Sequence, residues 1–350
     1  MKVGVIGCGY VAQGHLAALR RVRGIELSLC DTDEKRAAET ARSFGISRTY
    51  GDANDLLGGV MPDVVHILTP PQSHKRLAIE AMEAGCHVLV EKPMALDSGE
   101  ADEMIETARR TGRSLCVCHN YLFEPPVLRA RKLMQTGALG QVVGIEVFFK
   151  VYQQARYRTS DWMRTLHGGI HNESAPHLVA LQREFLGNVR VVSAVAKPIE
   201  GLPQPSTELR ALLEGESGLG SMCISFSSAP PQKHLTIYGT RATVDVDILN
   251  GVLLERQHAG SGQLRGRARV NAEYALRLLG QTVSGTLDGL GKPRWRSHAN
   301  LVAAFYDSLR AGTPPPVSGQ DGRAVVAVLD QLWAALKRRP AARPGEGAGG

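Results

Sequence analysis

The stretch HGGIHNESAPH, residues 167–177, sets three histidines and a glutamate within eleven positions. Imidazole titrates near neutrality and so serves as a general acid or base; with a carboxylate it also ligates metals. Zinc enzymes use histidines four apart, which makes His167, His171, Glu173 and His177 one candidate ligand set. A lone acid/base at His177 is a second reading, and a helix-start histidine without chemistry is a third. Gly168 and Gly169 leave any ligand geometry undefined. Two further groups of residues carry chemistry. Glu91 and Lys92 follow the apolar part of the run HVLVEKP (87–93) at a strand end, where the lysine by itself reads equally as a surface residue after a buried strand. Gly7-Cys8-Gly9-Tyr10-Val11-Ala12 matches G-x-G-x-x-[G/A], the turn that brings backbone close to a pyrophosphate.

The glycine turn has the context it needs. VGVIG (3–7) reads as a strand and Tyr10 to Val22 as a helix, so a pyrophosphate would sit at a positive helix end. Asp31 closes the next apolar run, IELSLCD, 22 residues after Gly9. There a carboxylate bonds a ribose 2′-hydroxyl and repels a 2′-phosphate, which favours NAD over NADP. Lys35 and Arg36 stand close enough to keep NADP open. Further strand-like runs follow at 63–70, 87–93 and 114–120, with helices at about 33–44, 73–84 and 98–110. Continuous apolar strands separated by helices mean a doubly wound parallel sheet covered on both faces. Ligands of such sheets lie beyond the strand ends, which brings Tyr10, Val11, Thr69, Pro70 and Asn120 into the expected cofactor site.

After about residue 140 the runs lengthen and alternate, as in QVVGIEVFFK, TELRALLEG and KHLTIYGT, with short turns such as GESG. One helix (about 174–186) precedes most of them. The expectation is an α+β domain with a large, mostly antiparallel open sheet. Closing helices are expected at 298–311 and 319–338, the second opened by a Ser318/Asp321 capping pair, and the tail 339–350 has a disordered composition. The expected division is 1–120, 121–338 and the tail.

GVIGCGYVAQGH, TPPQSH, AGCHVLVEKPMAL, HNYLFEP with TGALGQV, YGTRATVDVD and PPPVSGQDGR together resemble the Gfo/Idh/MocA family of oxidoreductases over nearly the whole chain. The resemblance implies a Rossmann domain holding a nicotinamide cofactor and a sheet domain that shapes the substrate pocket. It also implies a homodimer or homotetramer built through the open sheet face. Lys92 would lie beside the nicotinamide and His177 would face it, with no metal in the hydride step. Glu91 is expected to hold the nicotinamide ribose, His74 to flank the cofactor and Asn120 to reach nicotinamide or substrate. Each of these three also fits a cap or turn role. Trp162, Arg164, His171, Asn172 and Glu173 are candidate substrate contacts beside His177. The family usually carries aspartate where Glu173 stands. Pro176 confines the region to a helix's first turn: with Asn172 as cap Glu173 enters the helix, with Ser174 as cap it lies just before.

Bulk properties narrow the field. With 43% hydrophobic and 21% charged residues the chain is globular, and no apolar run approaches a membrane span, so a cytoplasmic enzyme is expected. The six cysteines read as buried reduced thiols, Cys116-Val117-Cys118-His119 included. The net charge of +7 is local: between Arg256 and Arg296 stand eight basic and two acidic residues, so nucleic-acid binding is not expected. An apolar stripe at Leu276, Leu279, Val283, Leu287 and Leu290 reads there as a helix packed on the sheet, with a lid or a membrane-surface helix as alternatives. The leading function is a dehydrogenase or reductase acting on a secondary hydroxyl of a sugar, sugar derivative (a nucleotide sugar included) or polyol. The alternatives are an NAD-dependent glycosidase working through transient C3 oxidation and a non-catalytic NAD-binding sensor.

Overall fold

The computed structural model describes residues 1–151, 161–199, 207–257, 264–289 and 295–337. The expected disordered tail, 339–350, lies outside the described residues.

Six strands form the first sheet: β1 (Lys2–Ile6), β2 (Glu26–Cys30), β3 (Arg48–Tyr50), β4 (Val64–Ile67), β5 (His87–Val90) and β6 (Leu115–Val117). Their order is β3-β2-β1-β4-β5-β6, parallel throughout. All four residues of β4 are buried, as continuous apolar strands covered on both faces require. The connections are α1 (Ala12–Leu19), α2 (Glu34–Phe44), α3 (Ala53–Val60), α4 (His74–Glu83) and α5 (Ser98–Thr111). Asp33 caps α2 by accepting the Arg36 N–H at 3.1 Å, and Gly45 ends it in the left-handed region. Helix α1 starts later than expected because Tyr10 and Val11 are spent in the glycine turn. Sequence periodicity passed over β3 and α3, the first only three residues long and the second interrupted by Gly58 and Gly59.

After α6 (Pro125–Gln135) come β7 (Val142–Lys150), α7 (Asp161–Arg164), α8 (Ala175–Leu186), β8 (Val189–Pro198), β9 (Thr207–Gly215), β10 (Leu219–Ser225), β11 (Gln232–Gly239), β12 (Ala242–Asp247) and β13 (Val252–Gln257). They build a seven-stranded sheet, β13-β12-β11-β7-β10-β9-β8, antiparallel except for β7 with β10. Strand β9 alternates: Leu209, Ala211 and Leu213 face the core, while Leu212 is 40% exposed on the open face with Val195 and Leu219.

Helix α9 (Leu264–Gly289) forms in the basic segment, but its expected packing is reversed. Leu276, Leu279 and Val283 face away from the sheet, and polar groups hold the helix to it. Gln281 bridges to the Leu253 backbone and Arg277 donates to the Glu255 carbonyl. The tie is made by side-chain amide and guanidinium groups satisfying an edge strand, so the apolar stripe is left outward. The Leu287 side chain and Leu290 lie outside the described residues.

Helices α10 (Arg296–Ala311) and α11 (Gly319–Lys337) return to the first sheet, α10 packing on α1 and α11 on α5. Ser318 and Asp321 exchange hydrogen bonds at the start of α11, as the capping pair requires. The last helices therefore carry residues 295–298 to the strand ends of the first sheet.

Candidate active site

One cavity of about 1170 Å³ runs from the glycine turn to the start of α8. It is larger than a typical small-ligand pocket of roughly 300–1,000 Å³ and accommodates a dinucleotide with a second molecule.

At its first end, Gly7 adopts φ +98°, and a side chain there would press within 2.8 Å of the Leu68 backbone. Gly9 meets nothing within 4 Å and opens the backbone to the cavity. Both are what close approach of a pyrophosphate needs. Trp295 packs over Gly14 and edge-on to Tyr10, with ring centroids 5.2 Å apart, so a residue from α10's start braces the turn. Asp31 closes β2 on the same wall. Its carboxylate accepts the Cys8 N–H at 2.7 Å, the Asp33 N–H at 2.9 Å and both arms of Arg36 at 3.0 and 2.9 Å. Burial pushes this carboxyl up, but Arg36 and the two amides outweigh it, leaving it below the usual range. Thr69 and Pro70, beyond β4, complete the wall. The residues present fit an adenosine ribose and pyrophosphate.

His74, expected to flank the cofactor, does not line the cavity and takes the turn-partner role instead. It is fully buried, with Nδ1 2.9 Å from the Pro93 carbonyl and Nε2 2.8 Å from that of Thr69. It clamps the TPPQSH loop to the EKP loop from behind, because two carbonyls in reach draw the ring inward.

At the other end Lys92, Glu173, His177, Asn120 and Trp162 line the cavity together. Lys92, following β5, has its side chain only 10% exposed. Its Nζ donates to the Glu173 carbonyl at 2.9 Å and to Glu173 Oε2 at 3.0 Å. An ammonium has three donors, so one remains for a ligand oxygen. Glu173 ends a 3-10 turn (Gly169–Glu173), and Ser174 precedes α8 with Pro176 in its first turn; the alternative with Glu173 just before the helix is the one adopted. His177 stacks on Tyr121, centroids 4.0 Å apart, and its Nδ1 has no partner among the described residues. Burial first, then Lys92 and Lys233, push this imidazole well below its ordinary value, so it is neutral at pH 7. Asn120 donates to Ser297 Oγ at 3.0 Å.

Glu91 lies at the wall with both oxygens engaged, Oε1 3.0 Å from His15 Nε2 and Oε2 accepting the Lys92 N–H at 3.1 Å. The candidate ligands of the opening stretch do not converge. His171 turns inward, Nε2 3.0 Å from Thr207 Oγ1 and its ring against Phe226. Asn172 is buried and donates to the His167 carbonyl at 3.1 Å. Neither is among the residues lining the cavity: partners within their own loop and on β9 hold them inside. The Arg164 side chain lies outside the described residues.

Sequence reasoning missed several wall residues. Lys233 on β11 donates to Tyr121 Oη and lies over the Tyr121 and Phe149 rings, 4.7 and 5.6 Å from the centroids. Trp295, Ser297 and His298 arrive from the start of α10. Tyr121 had a local signal, its place beside Asn120 at a strand end. Lys233 had none, since a polar residue at an alternating strand position looks like any solvent-facing one.

A parallel sheet with a glycine turn, a carboxylate just beyond β2 and a lysine and a histidine lining one cavity defines a dinucleotide-binding oxidoreductase. Residues 1–119 match the model of the oxidoreductase family with NAD-binding Rossmann fold, and residues 127–245 match the GFO/IDH/MocA C-terminal domain. The chain belongs to the Gfo/Idh/MocA family and is an NAD-dependent oxidoreductase. It is 26% identical over 343 residues to D-apiose dehydrogenase of Paraburkholderia graminis, covering 95% of this chain and 86% of the relative. D-glucoside 3-dehydrogenase of Escherichia coli is 33% identical over 144 residues, 41% of each chain. Among solved structures, levoglucosan dehydrogenase in complex with NADH and levoglucosan superposes with a TM-score of 0.79 at 19% identity, covering 97% of both chains. The WlbA dehydrogenase from Bordetella pertussis in complex with NADH and UDP-GlcNAcA does so at 0.74 and 21%, covering 96% of this chain and 95% of that one. No described helix is long and apolar enough to cross a membrane.

Proposed function

We propose that the protein is a dehydrogenase or reductase that moves hydride between nicotinamide and a secondary hydroxyl or ketone of a sugar, sugar derivative or polyol. The observation that carries this reading is the meeting of Lys92 and the neutral His177 on the wall of the cavity that begins at the glycine turn. The names of the relatives, dehydrogenases of apiose, glucosides and levoglucosan, point to the same substrate class.

When bound, the nicotinamide supplies the hydride acceptor or donor. In oxidation, neutral His177 takes the hydroxyl proton, and Lys92 directs its remaining N–H at the same oxygen, favouring the alkoxide in a site largely closed to water. In reduction the proton runs back from a protonated His177 to the carbonyl oxygen while Lys92 polarises it. Glu173 sets the Lys92 ammonium through two contacts and presents its second carboxylate oxygen to substrate hydroxyls. Trp162 offers an apolar ring face of the kind that sugars stack on, and Lys233 a second cation for a charged substituent. The open sheet face with Val195, Leu212 and Leu219 is the surface through which a homo-oligomer would form.

A panel of sugars, sugar nucleotides and inositols, followed by nicotinamide absorbance with NAD and NADH, tests the reading. A substrate that changes absorbance in stoichiometric turnover is expected; release of an aglycone without net cofactor reduction would replace it with the glycosidase mechanism.

A further inference from the structure

At the cavity wall and just behind it, four elements bring together side chains that the hydride chemistry does not use. His15 comes from α1, Glu91 from the end of β5, Cys118 from the end of β6 and His298 from α10. All four are buried, with exposures of 0, 7, 0 and 6%, and their ligating atoms lie within 4.8 Å of one another. We propose that His15 Nε2, Glu91 Oε1, Cys118 Sγ and His298 Nε2 form a closed, four-ligand zinc site that anchors the EKP loop.

Three observations support the site. The first is spacing. His15 to Glu91 is 3.0 Å, Cys118 to His15 is 3.6 Å and His298 to Glu91 is 4.0 Å. Zinc–ligand bonds of roughly 2.0–2.3 Å at tetrahedral angles separate neighbouring ligand atoms by about 3.3–3.6 Å. The remaining pairs lie within 4.8 Å, so the four atoms gather about one ion once the more distant of them move inward by up to about an ångström. The second is charge. Two neutral imidazoles, a carboxylate and a thiolate balance a divalent ion, leaving a neutral centre among buried side chains; binding sends the Cys118 proton to solvent. One soft sulfur and two imidazoles select zinc over calcium or magnesium.

The third is the outer shell. Metal-bound histidines donate their other N–H to an acceptor. His15 Nδ1 lies 3.0 Å from His66 Nδ1, and His66 Nε2 lies 3.2 Å from Tyr306 Oη. A coherent set of protons runs from His15 to His66 and on to the tyrosine oxygen. His298 Nδ1 is 3.5 Å from the Asn120 amide nitrogen; with the amide turned over, the Asn120 oxygen would accept from His298 Nδ1, and its donation to Ser297 Oγ would give way to acceptance from that hydroxyl. Glu91 Oε2 accepts the Lys92 N–H. The ion would therefore tie α1 and α10 to the ends of β5 and β6 and fix the backbone that carries Lys92. With four protein ligands it leaves no open position, so its role is structural and not that of a Lewis acid on substrate.

The full-length protein, produced in zinc-supplemented medium and purified without metal-affinity steps or chelators, tests the site. Elemental analysis is expected to give about one zinc per chain, and exchange into cobalt(II) to give the thiolate charge-transfer and intense visible bands of a tetrahedral centre. Cys118→Ala is expected to lower bound metal roughly tenfold or more and abolish the charge-transfer band. Cys116→Ala, two residues away on the same strand end, keeps both. Chelator is expected to lower the melting temperature of the parent protein and leave Cys118→Ala unmoved. Substoichiometric zinc, below about a tenth per chain under conditions that saturate such sites, with a cobalt spectrum lacking thiolate bands, overturns the site. Undiminished metal in Cys118→Ala overturns it equally. The cobalt spectrum of the parent protein is decisive even if the variant does not fold. None of these readouts depends on hydride transfer, so the reaction assignment and the zinc site stand or fall separately.

Discussion

His171→Gln is expected to make the protein less sensitive to acid. In the native chain His171 is 6% exposed, and burial pushes its imidazole down to about 4 against a small opposing pull from Glu208. Unfolded, a histidine titrates near 6.5. Above that value both states are neutral and the site contributes fully. As pH falls, the unfolded chain takes up a proton that the native one refuses, so stability is lost progressively between about 6.5 and 4. Integrating that difference gives a loss of about 2 kcal/mol on going from neutrality to pH 5, and about 3 kcal/mol by pH 4. Glutamine does not titrate and is long enough to keep a bond to Thr207, which accounts for about 1 kcal/mol at any pH. Urea denaturation at pH 7.5 and pH 5.0 isolates the effect, because any pH-independent cost of the substitution cancels in the comparison. The gap between the two pH values should be about 2 kcal/mol smaller in the variant. An unchanged gap with unchanged m-values would refute the assignment of His171 as a buried neutral group.

Other outcomes follow from the site. Lys92→Met should lower kcat about 10²- to 10³-fold while NAD still binds, since the lysine acts on the alkoxide; full activity in steady-state assays would remove it from the mechanism. Because His177 is held well below its ordinary value, the acid limb of kcat/KM for oxidation should lie below pH 6.5. A limb at or above 6.5 that persists in His177→Gln would assign the base elsewhere. Asp31→Ser should weaken NAD about tenfold and improve NADP, because it removes a charged acceptor and releases Arg36 towards a 2′-phosphate; an unchanged ratio of KM values for the two cofactors would refute the ribose assignment.

The parts of the fold that could be read in advance are those dictated by local physics. The strands β1, β4 and β5 are mostly apolar because both faces are covered, and the helices between them include ones with their own caps, as Asp33 is for α2. The short β3 and the glycine-bearing α3 lacked periodicity long enough to register, and α6, as long as α2, was passed over behind the proline pair Pro125–Pro126 at its start. In the site, Gly7, Gly9 and Asp31 were legible because turn, helix end and strand end lie within one supersecondary unit. Lys92 and His177 were legible only through the family resemblance, since nothing in either local stretch says that they meet.

Which side chains face the cavity was decided in three dimensions. His74, His171 and Asn172 stand beside the right motifs and point inward, where nearby carbonyls and a threonine hydroxyl bond them, while His171 Nδ1 and Asn172 Oδ1 have no partner among the described residues. Lys233, Trp295 and His298 join the wall from segments more than a hundred residues beyond Lys92, carried by β11 and by the return of α10 to α1. The same return places His298 beside His15, Glu91 and Cys118. Amino-acid order alone determined the sheet-and-helix scaffold, the dinucleotide turn and the chemical types available for catalysis, because those depend on neighbours in the chain. Tertiary packing decided which of those groups converge and in what charge state, because burial and opposing charge are supplied by residues distant in sequence.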